Sequence, residues 1–214
     1  MNRIGVLGGT FDPLHLGHLR AAEVVRDALA LDEVLFVPAA TPPHKSGPAV
    51  TEAHHRLRMV EAALGVEPWF AVSRVEIERG GPSYTIDTLA LLASARPDTR
   101  FYFVTGSDAF VEIRTWSRWR ELLSRYSFVV HERPGFPLER AKAVVAGEPN
   151  LRVVEGEAFG VELRSDRPEI FLVRRPMLNV SSTEIRRSVR EKRSIRYLVP
   201  EAVAAYIREN RLYE

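Results

Sequence analysis

Short apolar runs alternate along this chain with longer segments whose apolar residues recur every three or four positions. Such runs are typical of buried strands, whereas the longer segments are typical of helices that bury one face. A helix is predicted to begin near Leu16, because apolar residues follow at Leu19, Ala22, Val25 and Leu29. Strands are predicted at residues 4–7, 34–37, 70–75, 101–104, 128–130 and 170–173.

This alternation predicts an α/β, Rossmann-like fold with a mainly parallel sheet flanked by helices on both faces. Ligands of such sheets bind beyond the carboxyl ends of the strands. We therefore expect the polar segments that follow the strands to meet at one edge of the sheet. In chain order these segments are GGTFDP, TPPHK, SYT, GSD, RPG and SST.

The length of 214 residues, 45% of them hydrophobic, suits one domain with one substantial core. Two final helices are predicted, one near Ser181 and one with Pro200 at its first position. Residues 137–168 have a mixed pattern, with a helix through Lys142 and Val145 and weak strand signals at 151–154. We interpret this region as a partly inserted, non-catalytic segment.

Composition narrows the class of protein. The 30 basic and 28 acidic residues leave a net charge of +2, which is weak support for nucleic-acid binding, and none is expected. The absence of cysteine excludes disulfides, thiolate nucleophiles and cysteine zinc sites. No apolar run has the length of a membrane span or of a signal-peptide core, so we expect a soluble cytoplasmic protein that binds no membrane. The sequence does not give the oligomeric state, and a homo-oligomer is one of the possibilities.

The segment GGTFDPLHLGH at residues 8–18 is the most informative part of the chain. Loop glycines allow a ligand to approach the backbone closely, and the free N–H groups of a helix start attract anions. The spacings GxxxxGK[ST] and GxGxxG are both absent, which leaves HxGH, from His15 to His18. Gly17 would let a flat base lie against the helix. A metal site between the two histidines receives little support, since no third ligand lies nearby in the sequence.

The pattern GxFDPxHxGH resembles the signature of the HxGH nucleotidylyltransferases. With Thr10, the segment resembles in particular the signature of the nicotinate-nucleotide adenylyltransferase branch. Further segments of that family recur in order over nearly the whole chain: PPHK, SYTIDTL, GSD, Trp116, RPG, SSTEIR and the closing YLVPEAVAAYIRENRLY. The resemblance implies transfer of AMP from ATP to nicotinate mononucleotide, which gives deamido-NAD and pyrophosphate. It also implies a magnesium ion (Mg2+) that is held by the substrate phosphates rather than by protein ligands.

Adenylyl transfer depends on positioning and electrostatics, because the attacking phosphate oxygen is already ionised. By resemblance, the catalytic residues are His15, His18, Lys45 and Arg186. The residues implied for ATP are Gly8, Gly9, Thr10, Phe11, His15, Gly17, His18, Gly106, Asp108, Ser181, Ser182, Thr183 and Arg186. Those implied for nicotinate mononucleotide are Thr10, Lys45, Ser83, Tyr84, Thr85, Trp116 and Arg133. A helical segment over 181–214 would complete the ATP site, with Arg186 on the first turn of its helix.

Each of these roles has a structural alternative. Lys45 could be a solvated loop residue, Trp116 could belong to the core, and Arg133 could form a structural ion pair. Asp108 could cap the helix that follows it. The capping box formed by Ser181 and Glu184 could explain SSTEIR, although it is compatible with phosphate binding.

Other functions also fit part of the pattern. A preference for nicotinamide mononucleotide stays open, because backbone N–H groups could read either ring substituent. Phosphopantetheine adenylyl transfer and a fragment of a class I aminoacyl-tRNA synthetase share HxGH but explain less of the chain. A non-catalytic nucleotide- or RNA-binding module is the alternative from another class, and the arginine-rich run at 186–196 motivates it.

Overall fold

The computed structural model describes residues 2–42, 50–65, 67–148, 151–156 and 167–214. Within these residues, seven strands form one sheet in the order β3-β2-β1-β4-β5-β7-β6, and all neighbouring pairs are parallel. The strands are β1 Asn2–Gly9, β2 Glu33–Pro38, β3 Phe70–Val72, β4 Thr99–Gly106, β5 Ser127–His131, β6 Arg152–Gly156 and β7 Glu169–Val173.

Helices connect the strands and cover both faces of the sheet. They are α1 Leu16–Leu29, α2 Ala53–Leu64, α3 Val75–Arg79, α4 Thr85–Ala95, α5 Ser107–Phe110, α6 Trp119–Arg125, α7 Leu138–Val145, α8 Ser182–Arg190 and α9 Glu201–Glu209, with a 3-10 turn at Ile113–Thr115. One core cluster packs α1 and α2 on one face. A second cluster packs α4, α6 and α7 on the other. The predicted fold class is therefore confirmed.

β1 is an inner strand next to β4, and the order of strands along the chain changes direction between these two strands. Leu7 of β1 is in register with Phe36 of β2 on one side and with Val104 of β4 on the other. The connection through α1 leads to one half of the sheet, and the later connection through α4 leads to the other. The loops that follow β1 and β4 must diverge at this point, and such a divergence leaves a crevice for a ligand.

The predicted strand at 70–75 is wrong in its second half. β3 ends at Val72, and Val75 begins α3. The helix turns Glu76 inward, where Thr88 donates a 2.6 Å hydrogen bond to its carboxyl group. This buried polar contact favours the helix here, although the apolar residues of the segment are typical of a strand. SYT therefore follows α3 rather than a strand, although Thr41 and Pro82 still form a parallel bridge at the same edge of the sheet.

The sequence suggested that residues 137–168 are a partly inserted segment. The described part of this segment is instead joined closely to the rest of the fold. They contribute α7 and the edge strand β6, which pairs with β7 over its whole length. Residues 149–150 and 157–166 lie outside the described residues.

The C-terminal helices attach to the start of the fold. α9 packs against α2 through a third apolar cluster that includes Met59, Val203 and Ile207. Leu16, the first residue of α1, donates a backbone hydrogen bond of 2.9 Å to the carbonyl oxygen of Leu198. Pro200 was predicted at the first helical position of α9. It is instead the residue before the helix, which begins at Glu201. No helix within the described ranges is long and apolar enough to cross a membrane.

Candidate active site

The turn between β1 and α1 folds back on itself. Phe11 adopts a left-handed backbone conformation with φ of 50°, and its buried ring meets His18 edge-on at 5.1 Å between centroids. A Cβ on Gly9 would lie 3.0 Å from that ring, so a larger residue would push the ring away from its place in the fold-back. The turn thereby holds Phe11 beneath the histidine that ends the motif.

His15 and His18 lie side by side at the start of α1. Their rings are stacked, with 3.7 Å between centroids. The backbone N–H of His15 donates to Nδ1 of His18 over 3.3 Å. Because an imidazole nitrogen that accepts a hydrogen bond carries no hydrogen, the neutral His18 ring has its N–H at Nε2.

His15 is only 2% exposed. Burial lowers the pKa of His15 to about 4, and the positive charge of Arg133 contributes in the same direction. The ring is therefore neutral near pH 7. Nδ1 of His15 is buried without a hydrogen-bond partner among the described residues. The structure thus places His15 behind His18, as the ring against which His18 is held.

A cavity of about 180 Å³ opens where β1, β4 and β5 end. His18 contributes to its wall from α1. The predicted residues that the structure brings together around this cavity are Gly8, Gly17, His18, Gly106, Asp108 and Arg133. Thr105 and His131 also line it and were missed. A histidine at the end of an otherwise apolar run was the signal that could have identified His131.

Arg133 and Asp108 form an ion pair in the wall of this cavity, so the alternative of an ion pair for Arg133 is present in the structure. Nε of Arg133 lies 3.7 Å from Oδ2 of Asp108, and the backbone N–H of Arg133 donates to Oγ of Ser107 over 2.9 Å. The alternative of Asp108 as a helix cap is wrong, because Gly106 is the N-cap of α5 and Asp108 lies within the helix. Its carboxylate is therefore available to the cavity together with the guanidinium of Arg133.

A larger cavity of about 490 Å³ shares Arg133 with the first. It lies between the segments that follow β5 and β7. Its walls combine apolar residues with three arginines and one glutamate: Glu132, Arg133, Pro134, Gly135, Pro137, Arg174, Arg175, Pro176 and Met177. Sequence reasoning missed the arginines at 174 and 175, although two cations directly after a buried strand were a usable signal.

The helix α8 is fastened to the turn after β1. The predicted capping box is present, since Oγ of Ser181 accepts from the backbone N–H of Glu184 over 3.2 Å. Oγ of Ser182 donates to the carbonyl oxygen of Pro13 over 2.9 Å. Nη1 of Arg186 donates to the carbonyl oxygen of Asp12 over 2.6 Å.

The placement of Arg186 differs from the expectation in one respect. The helix begins at Ser182, because Ser181 is its cap, and Arg186 is therefore on the second turn rather than the first. Its Nη2 also donates to Oγ1 of Thr183 over 3.3 Å. The guanidinium still reaches the β1–α1 turn, because its side chain points back toward the start of the helix.

The residues expected to bind the mononucleotide lie partly elsewhere. Oγ of Ser83 accepts from the backbone N–H of Ala40 over 3.0 Å, which places it beyond the end of β2. Tyr84 is the N-cap of α4, and Thr85 is its first residue. These three residues and Arg133 thus lie on opposite sides of β1.

Trp116 packs edge-on against Phe103 of β4 at 5.8 Å between ring centroids, and the side chain is partly buried. This contact shows a role in the core and leaves part of the ring accessible. Lys45, and His44 beside it, lie outside the described residues.

Arg56 is a buried residue of α2 that sequence reasoning missed entirely. It is 1% exposed. Its guanidinium donates to three backbone carbonyls, with Nε 2.7 Å from Thr51 O, Nη1 2.9 Å from Thr10 O and Nη2 3.0 Å from Ala40 O. Arg56 therefore joins the turn after β1 to the segments on either side of residues 43–49.

The acidic and histidine side chains of the site do not form a metal cage. Across the described part of the chain, no group of three or more His, Asp or Glu residues is arranged to hold a metal ion. A cation at this cavity would therefore need most of its ligands from a bound substrate and from water.

Comparison with known proteins agrees with this geometry. Residues 6–188 match the cytidylyltransferase-like family. A probable nicotinate-nucleotide adenylyltransferase of Desulfitobacterium hafniense is 45% identical over 99% of this chain and 95% of its own length. Its counterpart in Thermus thermophilus is 41% identical over 99% of both chains.

A solved structure shows the same fold. The nicotinic acid mononucleotide adenylyltransferase of Plasmodium falciparum, complexed with NaAD, superimposes with a TM-score of 0.76 over 100% of this chain and 98% of its own, at 21% identity. The same enzyme complexed with APC gives a TM-score of 0.75.

Proposed function

Because the chain belongs to the cytidylyltransferase-like family and, within it, to the nicotinate-nucleotide adenylyltransferases, we propose that it transfers AMP from ATP to nicotinate mononucleotide. The products are deamido-NAD and pyrophosphate, in the biosynthesis of NAD. The observation that carries the proposal is the convergence of Gly8, His18, Gly106 and Arg133 on one cavity at the point where the sheet changes direction.

The reaction is an in-line displacement at the α-phosphorus of ATP. A phosphate oxygen of the mononucleotide forms a bond to this phosphorus while the bond to the bridging oxygen breaks, and the electron pair leaves with pyrophosphate. No covalent enzyme intermediate is expected, and no general base is needed, because the attacking oxygen is ionised near neutral pH. The protein must therefore orient two anions and stabilise the charge on the α-phosphoryl oxygens.

His18 is suited to stabilise the charge on the α-phosphoryl oxygens. The N–H of its neutral ring is at Nε2, since Nδ1 accepts from the backbone of His15. The neighbouring Gly8 and Gly17 have no side chains between the backbone and the cavity. A phosphoryl group can therefore approach the N–H groups at the start of α1, where the helix dipole favours negative charge. We propose that His15 acts by holding the ring of His18 rather than by touching the phosphate.

ATP would occupy the half of the site formed by β4, β5 and β7. Ser182, Thr183 and Arg186 at the start of α8 would bind the β- and γ-phosphates. Asp108 and Gly106 would meet the ribose and the base. The larger cavity offers prolines, Met177 and arginine planes, against which a flat base can stack.

The mononucleotide would enter from the β2 side, near Thr10 and the start of α4. Helix N–H groups at Thr85 could bind the nicotinate carboxylate, and the accessible part of Trp116 could stack on the ring. Lys45 stays a predicted phosphate contact. Arg133 lines the cavity in which the two phosphates would meet, so we retain it as a contact of the mononucleotide phosphate.

We propose Mg2+ as the divalent ion of the reaction, bound mainly through the phosphates of ATP. The ion would neutralise charge on the departing pyrophosphate. This proposal accords with the chemistry of the donors, because the described side chains around the cavity form no complete set of metal ligands. Cytoplasmic location stays a prediction from the sequence.

The decisive test of the function is a comparison of two substrates. Pyrophosphate release is measured with ATP and either nicotinate or nicotinamide mononucleotide, and the dinucleotide product is identified by chromatography. We expect the higher kcat/KM with the acid. A higher value with the amide would overturn the acid preference. Absence of pyrophosphate release with both, together with salt-dependent RNA binding, would favour the non-catalytic alternative.

A further inference from the structure

The C-terminal tail of the chain reaches the turn after β1. The hydroxyl group of Tyr213, the second-to-last residue, donates a 2.7 Å hydrogen bond to Oδ1 of Asp12. Asp12 is only 3% exposed, and its Oδ2 accepts from the backbone N–H of Thr51 over 3.3 Å. The carboxylate of Asp12 is thus held from two sides by parts of the chain that are distant in sequence.

Asp12 is also the point at which α8 meets this turn. Its carbonyl oxygen accepts from Nη1 of Arg186 over 2.6 Å. The next carbonyl, that of Pro13, accepts from Oγ of Ser182 over 2.9 Å. Asp12 and Pro13 thus supply backbone acceptors for the guanidinium of Arg186 and for the first turn of α8.

The tail has an unusual backbone that serves this contact. Arg211 and Tyr213 have φ angles of 50° and 71°, in the left-handed region that side chains other than glycine rarely adopt. Such a conformation costs of the order of 1 kcal/mol per residue, so it persists where other contacts compensate for it. Here it turns the tyrosine ring inward, where the hydroxyl also lies 3.8 Å from Sδ of Met59.

The Tyr213 hydroxyl remains protonated in this setting. Burial raises its pKa well above the usual value, and the negative charge of Asp12 adds to the effect. The group is therefore a permanent hydrogen-bond donor to Asp12 over the whole physiological pH range.

We propose that Tyr213 is a positioning residue of the adenylyl transfer: its hydroxyl group fixes Asp12 and, through the Asp12 carbonyl, holds Arg186 where it meets the triphosphate. This inference rests on the proposed function. Tyr213 itself touches no substrate. Its effect should fall on ATP, whose phosphates Arg186 would bind, and not on the mononucleotide.

The direct test is Tyr213→Phe, which removes one oxygen atom and keeps the ring. We expect the KM for ATP to rise by about 10-fold, the effect of losing one hydrogen bond to a charged group, and the KM for the mononucleotide to stay within twofold. If Tyr213 only stabilised the fold, its replacement would reduce the fraction of folded enzyme. The apparent kcat would then fall, and both KM values would stay unchanged. Both KM values within twofold of wild type, or an equal rise in both, would overturn the proposal.

Tyr206→Phe is the matched control. This tyrosine belongs to α9, and its hydroxyl lies 2.9 Å from Nδ1 of His55 rather than near Asp12. We expect its loss to leave both KM values unchanged. In an Arg186→Ala background, Tyr213→Phe should add less than a twofold rise in the KM for ATP. A full 10-fold rise in that background would show that Tyr213 does not act through Arg186.

A measurement without turnover separates this proposal from the proposed function. Hydrogen exchange of peptides covering residues 10–13 and 182–190 is compared between wild type, Tyr213→Phe and Tyr206→Phe, without substrate. We expect faster exchange in both peptides for Tyr213→Phe alone, and unchanged exchange would contradict the positioning role. An inactive wild-type enzyme, in contrast, would contradict the adenylyl transfer itself.

Discussion

The rings of His15 and His18 are stacked with their centroids 3.7 Å apart, and the two planes differ by 20°. Only His18 lines the cavity, while His15 lies beneath it and is 2% exposed. We therefore propose that the two histidines of the motif have different tasks. His18 would present a hydrogen-bond donor, and His15 would fix the position of that donor.

Gly17 is expected to serve the site rather than the stability of α1. A Cβ at this position would lie 3.0 Å from Nδ1 of His15 and 3.3 Å from the carbonyl oxygen of Leu178. Gly17→Ala should therefore displace the His15 ring and lower kcat by about 10-fold or more. The melting temperature should change little, because the gain in helix propensity, up to about 1 kcal/mol, offsets the crowding.

Gly5→Ala is the contrasting variant. Its Cβ would lie 2.9 Å from Cδ1 of Leu31 within the core. We expect a loss of about 1–3 kcal/mol in the free energy of unfolding and unchanged KM values. Thermal unfolding and steady-state kinetics of both variants check the pair. If Gly17→Ala had wild-type kcat, the role assigned to the His15 ring would be wrong.

Acid is expected to destabilise the fold through its buried histidines. Burial lowers the pKa of His131 to about 4, whereas an unfolded histidine titrates near 6.5. Below about pH 6.5 the unfolded chain binds the proton and the folded protein does not. Stability is therefore lost as the pH falls from about 6.5 toward 4, by up to about 1.4 kcal/mol per pH unit for each such group.

His131→Asn removes this contribution at one site. We expect the free energy of unfolding, from urea titrations at pH 7, 6 and 5, to fall less steeply in this variant than in the wild type. His54→Asn, at an exposed histidine, is the control for the substitution itself. Equal slopes in wild type and His131→Asn would show that His131 is not held neutral.

The sequence was sufficient to predict elements whose signal is local. The runs at 34–37 and 170–173 lie within β2 and β7, and the helix expected at Leu16 begins there. The second half of the 70–75 run was read incorrectly, because the contact between Glu76 and Thr88 depends on residues 12 positions apart. Alternation along one segment carries no information about such a partner.

The positioning residues of the site were beyond sequence reasoning for the same reason. Arg56 and Arg58 lie on one helix and look alike in the sequence, yet only Arg56 is enclosed by backbone carbonyls. Tyr213 meets Asp12 across 201 positions. Which groups contact the phosphates stays a prediction from the motifs of the chain. The groups that hold those motifs in place could be found only in the structure.

Arg56 is expected to be a major contributor to stability. Arg56→Met would leave three partly buried backbone carbonyl groups without the donor that Arg56 provides, and we expect a loss of about 3 kcal/mol or more in the free energy of unfolding. Arg58→Met is the matched control on the same helix, since Arg58 is exposed and pairs with Glu61 at 3.2 Å. Its effect should stay within about 0.5 kcal/mol. Similar losses in urea unfolding of both variants would refute the role given to Arg56.

The central claim is that Nε2–H of His18 donates to the phosphoryl group that is transferred. The measurement that tests it most directly is the single-turnover rate of deamido-NAD formation in three His18 variants that unfold at the wild-type temperature. We expect His18→Ala to be slower by about 100-fold or more. His18→Gln, whose amide nitrogen can take the place of Nε2, should be faster than His18→Asn, whose nitrogen replaces Nδ1. A rate near wild type for His18→Ala would contradict the account.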